Sequence, residues 1–271
     1  MPIALFEVLS TLIVALALVA MARVHPWRPL LAEYGILAVA SWLGEESCVG
    51  LYRFYAYSDA WHGHLHLVPV LVPMIWPVVI LSARDVSRAL WPTVGPWAAA
   101  ALVAFDASLV EVIAARAGLW HWAEPGHLGV PVLGILGWGY FALGALAPRR
   151  RGLAVVTGPL VAHALILLTW WGFFRWALRG ELGHGGFAIL GAATLVFLFA
   201  AVRARRRGTM MTPRVWLPRV IAALLFFTLL VWTAPGDPWL WLHTAMIAVP
   251  YLVVTEIRSR AAPRAATAPS R

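Results

Sequence analysis

Apolar runs of about 20 residues recur along the whole chain, each long enough to cross a hydrocarbon core about 30 Å thick. They fall at about 3–22, 29–51, 66–83, 94–115, 128–147, 152–174, 186–202, 215–234 and 238–257. The pattern predicts an all-α, polytopic integral membrane bundle of about nine transmembrane helices, with eight as the alternative count. The longest polar link, Arg203 to Arg214, is too short for a soluble domain. Residues 1–257 therefore read as a single transmembrane helical domain, and the tail from 258, RSRAAPRAATAPSR, reads as disordered. Composition agrees: 12% of the residues are charged, where a soluble domain carries about twice as much. The N-terminal run lacks the basic start of a signal peptide and reads as a retained helix.

Charge then orients the bundle. The net charge is +9, and every basic residue is Arg. With nine spans, 17 of the 21 Arg fall on the face that includes the C-terminus. Arg53, Arg116, Arg175 and Arg179 fall on the other. Positive residues accumulate on the cytoplasmic side of a membrane, so the expectation is a multi-pass protein of a bacterial inner membrane with a cytoplasmic C-terminus. This placement, rather than nucleic-acid binding, accounts for the positive charge. Cys48 is the one cysteine, which excludes an intramolecular disulfide and a Cys-based metal site.

The opposite face has another chemistry. It receives YAYSDAWHGHLH (55–66), GLWHWAEPGHLG (118–129), RWALRGELGHGG (175–186) and APGDPWLWLH (234–243). Trp and Tyr gather at membrane interfaces because their rings are apolar and their tips polar. That accounts for many of them, but not for acids inside the spans. Glu45 and Glu46 follow an apolar run in the second span. Asp106 sits midway along the fourth, with Glu111 beyond it. An ionised carboxylate in hydrocarbon is costly, so such groups pair, stay protonated or line a polar cavity. A protonated acid in an apolar cavity is a general acid. A structural alternative is an acid satisfied by Arg, such as Glu46 with Arg53. Asp106 and Glu111 are about 140° apart around a helix and do not share a face. Glu45 and Tyr52 do share one, so the Tyr52 hydroxyl is expected beside the acid. Trp120, Trp122 and Trp138 are expected at the cavity mouth, where π faces stabilise a cation by about 1–2 kcal/mol. His62, His64 and His66 alternate as metal ligands can, but no second His cluster accompanies them. The expectation is no metal and no cofactor, with those three His as the ligands if a metal is bound.

The run from Glu45 through Gly50, Tyr52, Tyr55 and Tyr57 into VPVLVPMIW (68–76), which ends on Trp76, resembles the CruF-type carotenoid hydratases, a family of integral membrane carotenoid biosynthesis proteins. So does the later order of Asp106, Glu111, Gly118, Trp120, Trp122, Gly129 to Pro131, and Gly137-Trp138. The likeness spans about residues 40–145. It departs from the family pattern at Val112, where a Pro often follows the acid, and at Gly134, where an Asn often stands. The spacing from Asp106 to the second acid is also one residue long. The resemblance implies addition of water across the terminal C=C of an acyclic carotenoid or isoprenoid. In that chemistry Asp106 or Glu111 donates the proton, Glu45 orients water, and Tyr52, Tyr55, Trp76, Trp120, Trp122 and Trp138 form the substrate-binding wall. The implied partners are a lipid-soluble carotenoid or isoprenoid, water, the bilayer and other carotenoid-synthesis enzymes. The same first protonation also serves a carotenoid or terpene cyclase or an isomerase. From other classes, intramembrane acids and Gly/Pro-broken helices also fit a proton-coupled transporter, and a non-catalytic membrane partner remains open.

Overall fold

A computed structural model describes residues 1–177, 182–209, 211 and 213–255. Arg179 and the tail from 258 lie outside the described residues. The described residues form nine long helices: α1 (Ile3–Ala22), α2 (Trp27–Tyr52), α3 (Leu71–Leu90), α4 (Pro96–Arg116), α5 (Val132–Leu146), α6 (Ala154–Thr169), α7 (His184–Arg206), α8 (Pro213–Thr233) and α9 (Pro238–Thr255). A π-helical turn, Trp170–Phe174, and the short helix Arg175–Ala177 continue α6. Pro stands at or just before the start of α2, α4, α5, α8 and α9, where its missing N–H has no intrahelical partner to lose.

Among the described residues, five helical stretches are long and apolar enough to cross a membrane: Ile3–Ala22, Pro96–Arg116, Arg151–Ala177, His184–Arg206 and Pro213–Thr233. α5 and the apolar part of α9 are shorter. α2 and α3 carry charges that are paired: Arg84 of α3 donates to Glu33 of α2 at 2.5 Å, and Asp85 of α3 meets His25 of the α1–α2 link at 2.7 Å. Large apolar side chains such as Leu12, Leu160, Leu195 and Phe199 are exposed on the outside. This is the surface a bundle presents to hydrocarbon rather than water.

The interior is tight where small residues meet. α5 packs closely on α4 and on α6. A Cβ on Gly144 would lie 2.3 Å from the Thr157 carbonyl oxygen, and one on Gly158 would lie 2.9 Å from the Phe141 ring. Such contacts are how helices without a hydrophobic drive between them gain packing energy in a membrane.

Two short antiparallel ladders interrupt the helices on one face. β1 (Tyr55–Tyr57) pairs with a distant strand, Trp120–Trp122, in the register Tyr55↔Trp122 and Tyr57↔Trp120. Between these, β2 (His64–Leu65) and β3 (Val68–Pro69) form a small hairpin; Trp120–Trp122 is then β4. The hairpin delays the third helix, so α3 starts at Leu71 rather than near 66 and runs to Leu90. Two left-handed residues launch the longer ladder. Arg53 ends α2 at φ 53°, and Gly118 ends α4 at φ 73°. At Gly118 the Leu119 N–H reaches the Ala114 carbonyl and the Gly118 N–H reaches that of Ala115, the double bond of a Schellman cap.

Candidate active site

The two strands of the longer ladder lie over a single cavity of about 370 Å³ inside the bundle. Four acids line it, Glu45, Asp106, Glu111 and Glu124, and two of them are caged by aromatic donors at this end. Glu45, from α2, accepts hydrogen bonds from three aromatic side chains. The Tyr55 and Tyr57 hydroxyls both donate to Oε2, the latter at 2.8 Å, and Trp76 Nε1 donates to Oε1 at 2.8 Å. Glu111, from α4, is treated the same way. Trp120 and Trp122 donate to Oε2 at 2.7 and 3.1 Å, and Trp138 donates to Oε1 at 2.5 Å.

The two cages are joined. The Trp76 and Trp138 rings stack with centroids 4.1 Å apart, and Tyr55 packs on Trp122 at 4.8 Å. The ladder is what makes this arrangement: each strand sends its outer residues to a carboxylate, β1 to Glu45 and β4 to Glu111. Glu111 is 3% exposed, Trp76 4% and Trp120 8%. Burial pushes the Tyr55 and Tyr57 hydroxyls well above the usual phenol range, and the Glu45 carboxylate beside them adds to it. Both phenols therefore remain donors. Among the described residues, none of the ion pairs includes Glu45 or Glu111.

At the far end of the same cavity Asp106 is held differently. Asp106 forms an ion pair with Arg219 from α8 and accepts from the Tyr251 hydroxyl at 2.5 Å. Arg219 also donates to Tyr251 at 3.2 Å, to the Val79 carbonyl at 3.0 Å and to Ser82 at 2.9 Å. The position of Arg219 corrects its sequence assignment to the cytoplasmic face. It is 7% exposed and lies within α8; the other Arg of the 17 carry the asymmetry without it.

The expected site residues thus divide. Glu45, Tyr55, Trp76, Glu111, Trp120, Trp122 and Trp138 come together. Tyr52 lines the cavity, but its hydroxyl is paired with His163 Nδ1 at 2.8 Å rather than with Glu45. Asp106 lines the cavity from the other side of α4, as the 140° separation requires. Tyr57, Arg219 and Tyr251 were not among the expected residues. Tyr57 had a signal: it sits two residues from Tyr55, on the same side of an extended segment.

The His cluster opens out. His62 contacts Glu7 at 2.7 Å, and His66 contacts Glu46. Glu46 also accepts the Leu67 N–H at 3.1 Å, so its partners are His66 and Leu67 rather than Arg53. Among the described residues no group of three or more His, Cys, Asp or Glu could hold a metal ion. A separate buried pair, His127 and His243, meets at 3.1 Å, and His243 Nε2 donates to the Ser108 carbonyl at 2.9 Å. Burial holds the His127 imidazole below its usual range.

No family model, curated protein or solved structure matches the chain. The chemistry of the site therefore rests on its own geometry. Three donors occupy three of the roughly four lone-pair sites of each carboxylate. One site on each remains for a proton or a water. Around them stand aromatic faces, which attract a cation, and a lining that is otherwise almost wholly apolar. That combination can deliver a proton to an uncharged apolar molecule and shelter the cation that results.

Proposed function

We propose that this protein is a membrane-embedded enzyme that protonates a terminal C=C of an acyclic carotenoid or related isoprenoid and adds water to it. The observation that carries the reading is the pair of aromatic-caged carboxylates with no cationic partner among the described residues, in a cavity otherwise built for hydrocarbon. Glu111 is the proton donor. Its fourth lone-pair site holds the proton, which passes to the terminal alkene. A C–H bond forms, the π bond breaks, and a tertiary carbocation remains. The Trp120, Trp122 and Trp138 rings stabilise this cation more than the neutral alkene, which is the condition for acceleration. Glu45 orients the water that attacks the cation and takes up its proton, so a C–O bond forms and a tertiary alcohol leaves. Proton return from Glu45 to Glu111 restores the starting state, and the net reaction is alkene plus water. Asp106, neutralised by Arg219, belongs to the scaffold rather than to proton transfer.

The nine helices are read as nine spans with the C-terminus in the cytoplasm of a bacterial inner membrane, supported by the Arg asymmetry. Reporter fusions after Arg151, Arg207 and Arg258 should all give cytoplasmic signals; a periplasmic signal at Arg207 contradicts the topology. The activity is tested by producing the protein in cells that accumulate lycopene. The expected pigment is heavier than lycopene by one water. An altered pigment of unchanged mass would reassign the protein to cyclisation or isomerisation by the same acid. Unaltered lycopene at high protein levels would remove this substrate and favour a carrier.

A further inference from the structure

α8 and α9 are consecutive, joined only by residues 234–237, yet they hardly touch. α8 packs on α1, α3 and α4, whereas α9 packs on α7 and α4. The space between them is framed. The link closes it at one end, and the Arg219–Tyr251 hydrogen bond at 3.2 Å closes it at the other. At 1.5 Å per residue these two ties are roughly 20 Å apart. Between them Ala223, Leu224 and Phe227 of α8 and Ala248 of α9 line the cavity, joined at the lower edge by Leu252. Leu224 is 57% exposed and Leu252 64% exposed. The same residues therefore face the cavity and the outside of the bundle. Leu224 lies roughly 14 Å from the α8 end of the link, which is mid-depth in a core about 30 Å thick.

We infer that the framed gap between α8 and α9 is a lateral window through which a long acyclic hydrocarbon passes from the bilayer, with only its terminus reaching Glu45 and Glu111. This rests on the proposed function and specifies its substrate class. A cavity of about 370 Å³ is at the small end of ligand pockets, about 300–1,000 Å³, and holds one end of such a chain but not its whole length. The remainder needs an apolar path continuous with the cavity, and the polar pair that closes the lower end of the window is already engaged: Arg219 and Tyr251 with each other and with Asp106. The small side chains of Ala223 and Ala248 leave the aperture open. The site thus reads chain ends rather than whole molecules: a chain with a free, unsubstituted terminus threads through, and one whose terminus is already a ring does not.

The test uses the full chain in phospholipid vesicles and an acyclic C30 polyene bearing a diazirine midway along its length. After illumination, peptide mapping is expected to find label on the segments Ala223 to Phe227 and Ala248 to Leu252. Ala248→Trp and, independently, Ala223→Trp should reduce that label several-fold. Glu111→Gln should label like the unmodified protein, because binding precedes the chemistry. Label confined to other helices, or undiminished in both Trp variants while they remain folded, overturns the window. The readout needs no turnover, so it separates the two ideas: label at the window without a hydrated product leaves the window standing and removes the hydratase reading. A hydrated product with no label at the window does the reverse.

Discussion

The two ends of the cavity solve the same problem in opposite ways. At one end Asp106 is neutralised by Arg219 and supported by Tyr251. At the other, the partners of Glu45 and Glu111 among the described residues are neutral N–H and O–H donors from Tyr and Trp. An ion pair fixes both charges and ties α4 to α8, with Tyr251 bringing in α9. It has no proton to give. A carboxyl in an aromatic cage keeps its capacity to gain or lose one, and its wall attracts a cation without supplying a counter-charge that would lock the acid. Acids within one apolar cavity therefore differ in role according to what surrounds them.

Breaking the ion-paired end should have the largest effect on the fold. Arg219→Met leaves Asp106, whose side chain is 20% exposed, without its cation; losing one partner of a fully buried pair costs about 3–5 kcal/mol, so the cost here is about 3 kcal/mol or less. The expected outcome is a large drop in the unfolding midpoint of the detergent-purified protein, with much of it recovered when Asp106→Leu is added. Equal stability of Arg219→Met and the unmodified protein would show that the pair is not structural.

At the caged end the stability effects should be smaller and the activity effects larger. Trp138→Phe keeps a ring stacked on Trp76 but removes the 2.5 Å donor to Glu111. A hydrogen bond to a charged group contributes about 1.5–3 kcal/mol, so turnover should fall by roughly tenfold or more while the unfolding midpoint moves little. A variant as active as the unmodified protein would mean the third donor does not tune the acid.

The gentlest probe is Gly134→Ala. Its Cβ would lie 2.5 Å from the Trp122 ring, so the indole must shift and weaken its 3.1 Å bond to Glu111, the longest of the three. A few-fold loss of turnover is expected, with normal folding. A loss no larger in Gly134→Ala/Trp122→Phe than in Trp122→Phe alone would locate the cause in that clash.

The helices were legible in the sequence because each is an apolar run closed by Pro, Gly or Arg. The α3 boundary was displaced because residues 63–70 form a hairpin that hydropathy does not register, closed by the Val70 N–H on the Gly63 carbonyl. Much of the site was legible too: Glu45, Glu111 and their Trp partners stand out as polar or indole groups where apolar ones are expected. What joins them was not. The β1–β4 ladder is three residues long on each strand and pairs segments more than 60 residues apart, so no local pattern announces it. Arg219 was hidden for a different reason. Five residues after Arg214, which ends the basic link that begins at Arg203, it reads as one more cytoplasmic charge, and only its partners in α3, α4 and α9 show that it is buried.

The central claim is that Glu111, not Asp106, gives the proton. Glu111→Gln and Asp106→Asn keep the shape of each side chain and remove its acid. Each is produced in lycopene-accumulating cells, and the pigment is analysed by mass at matched amounts of folded protein. The predicted result is loss of the hydrated product in Glu111→Gln by about 10²–10⁴-fold, the range for removing a general acid, with Asp106→Asn active in proportion to the protein that folds. Full product formation by Glu111→Gln, or its loss in well-folded Asp106→Asn alone, would contradict the account.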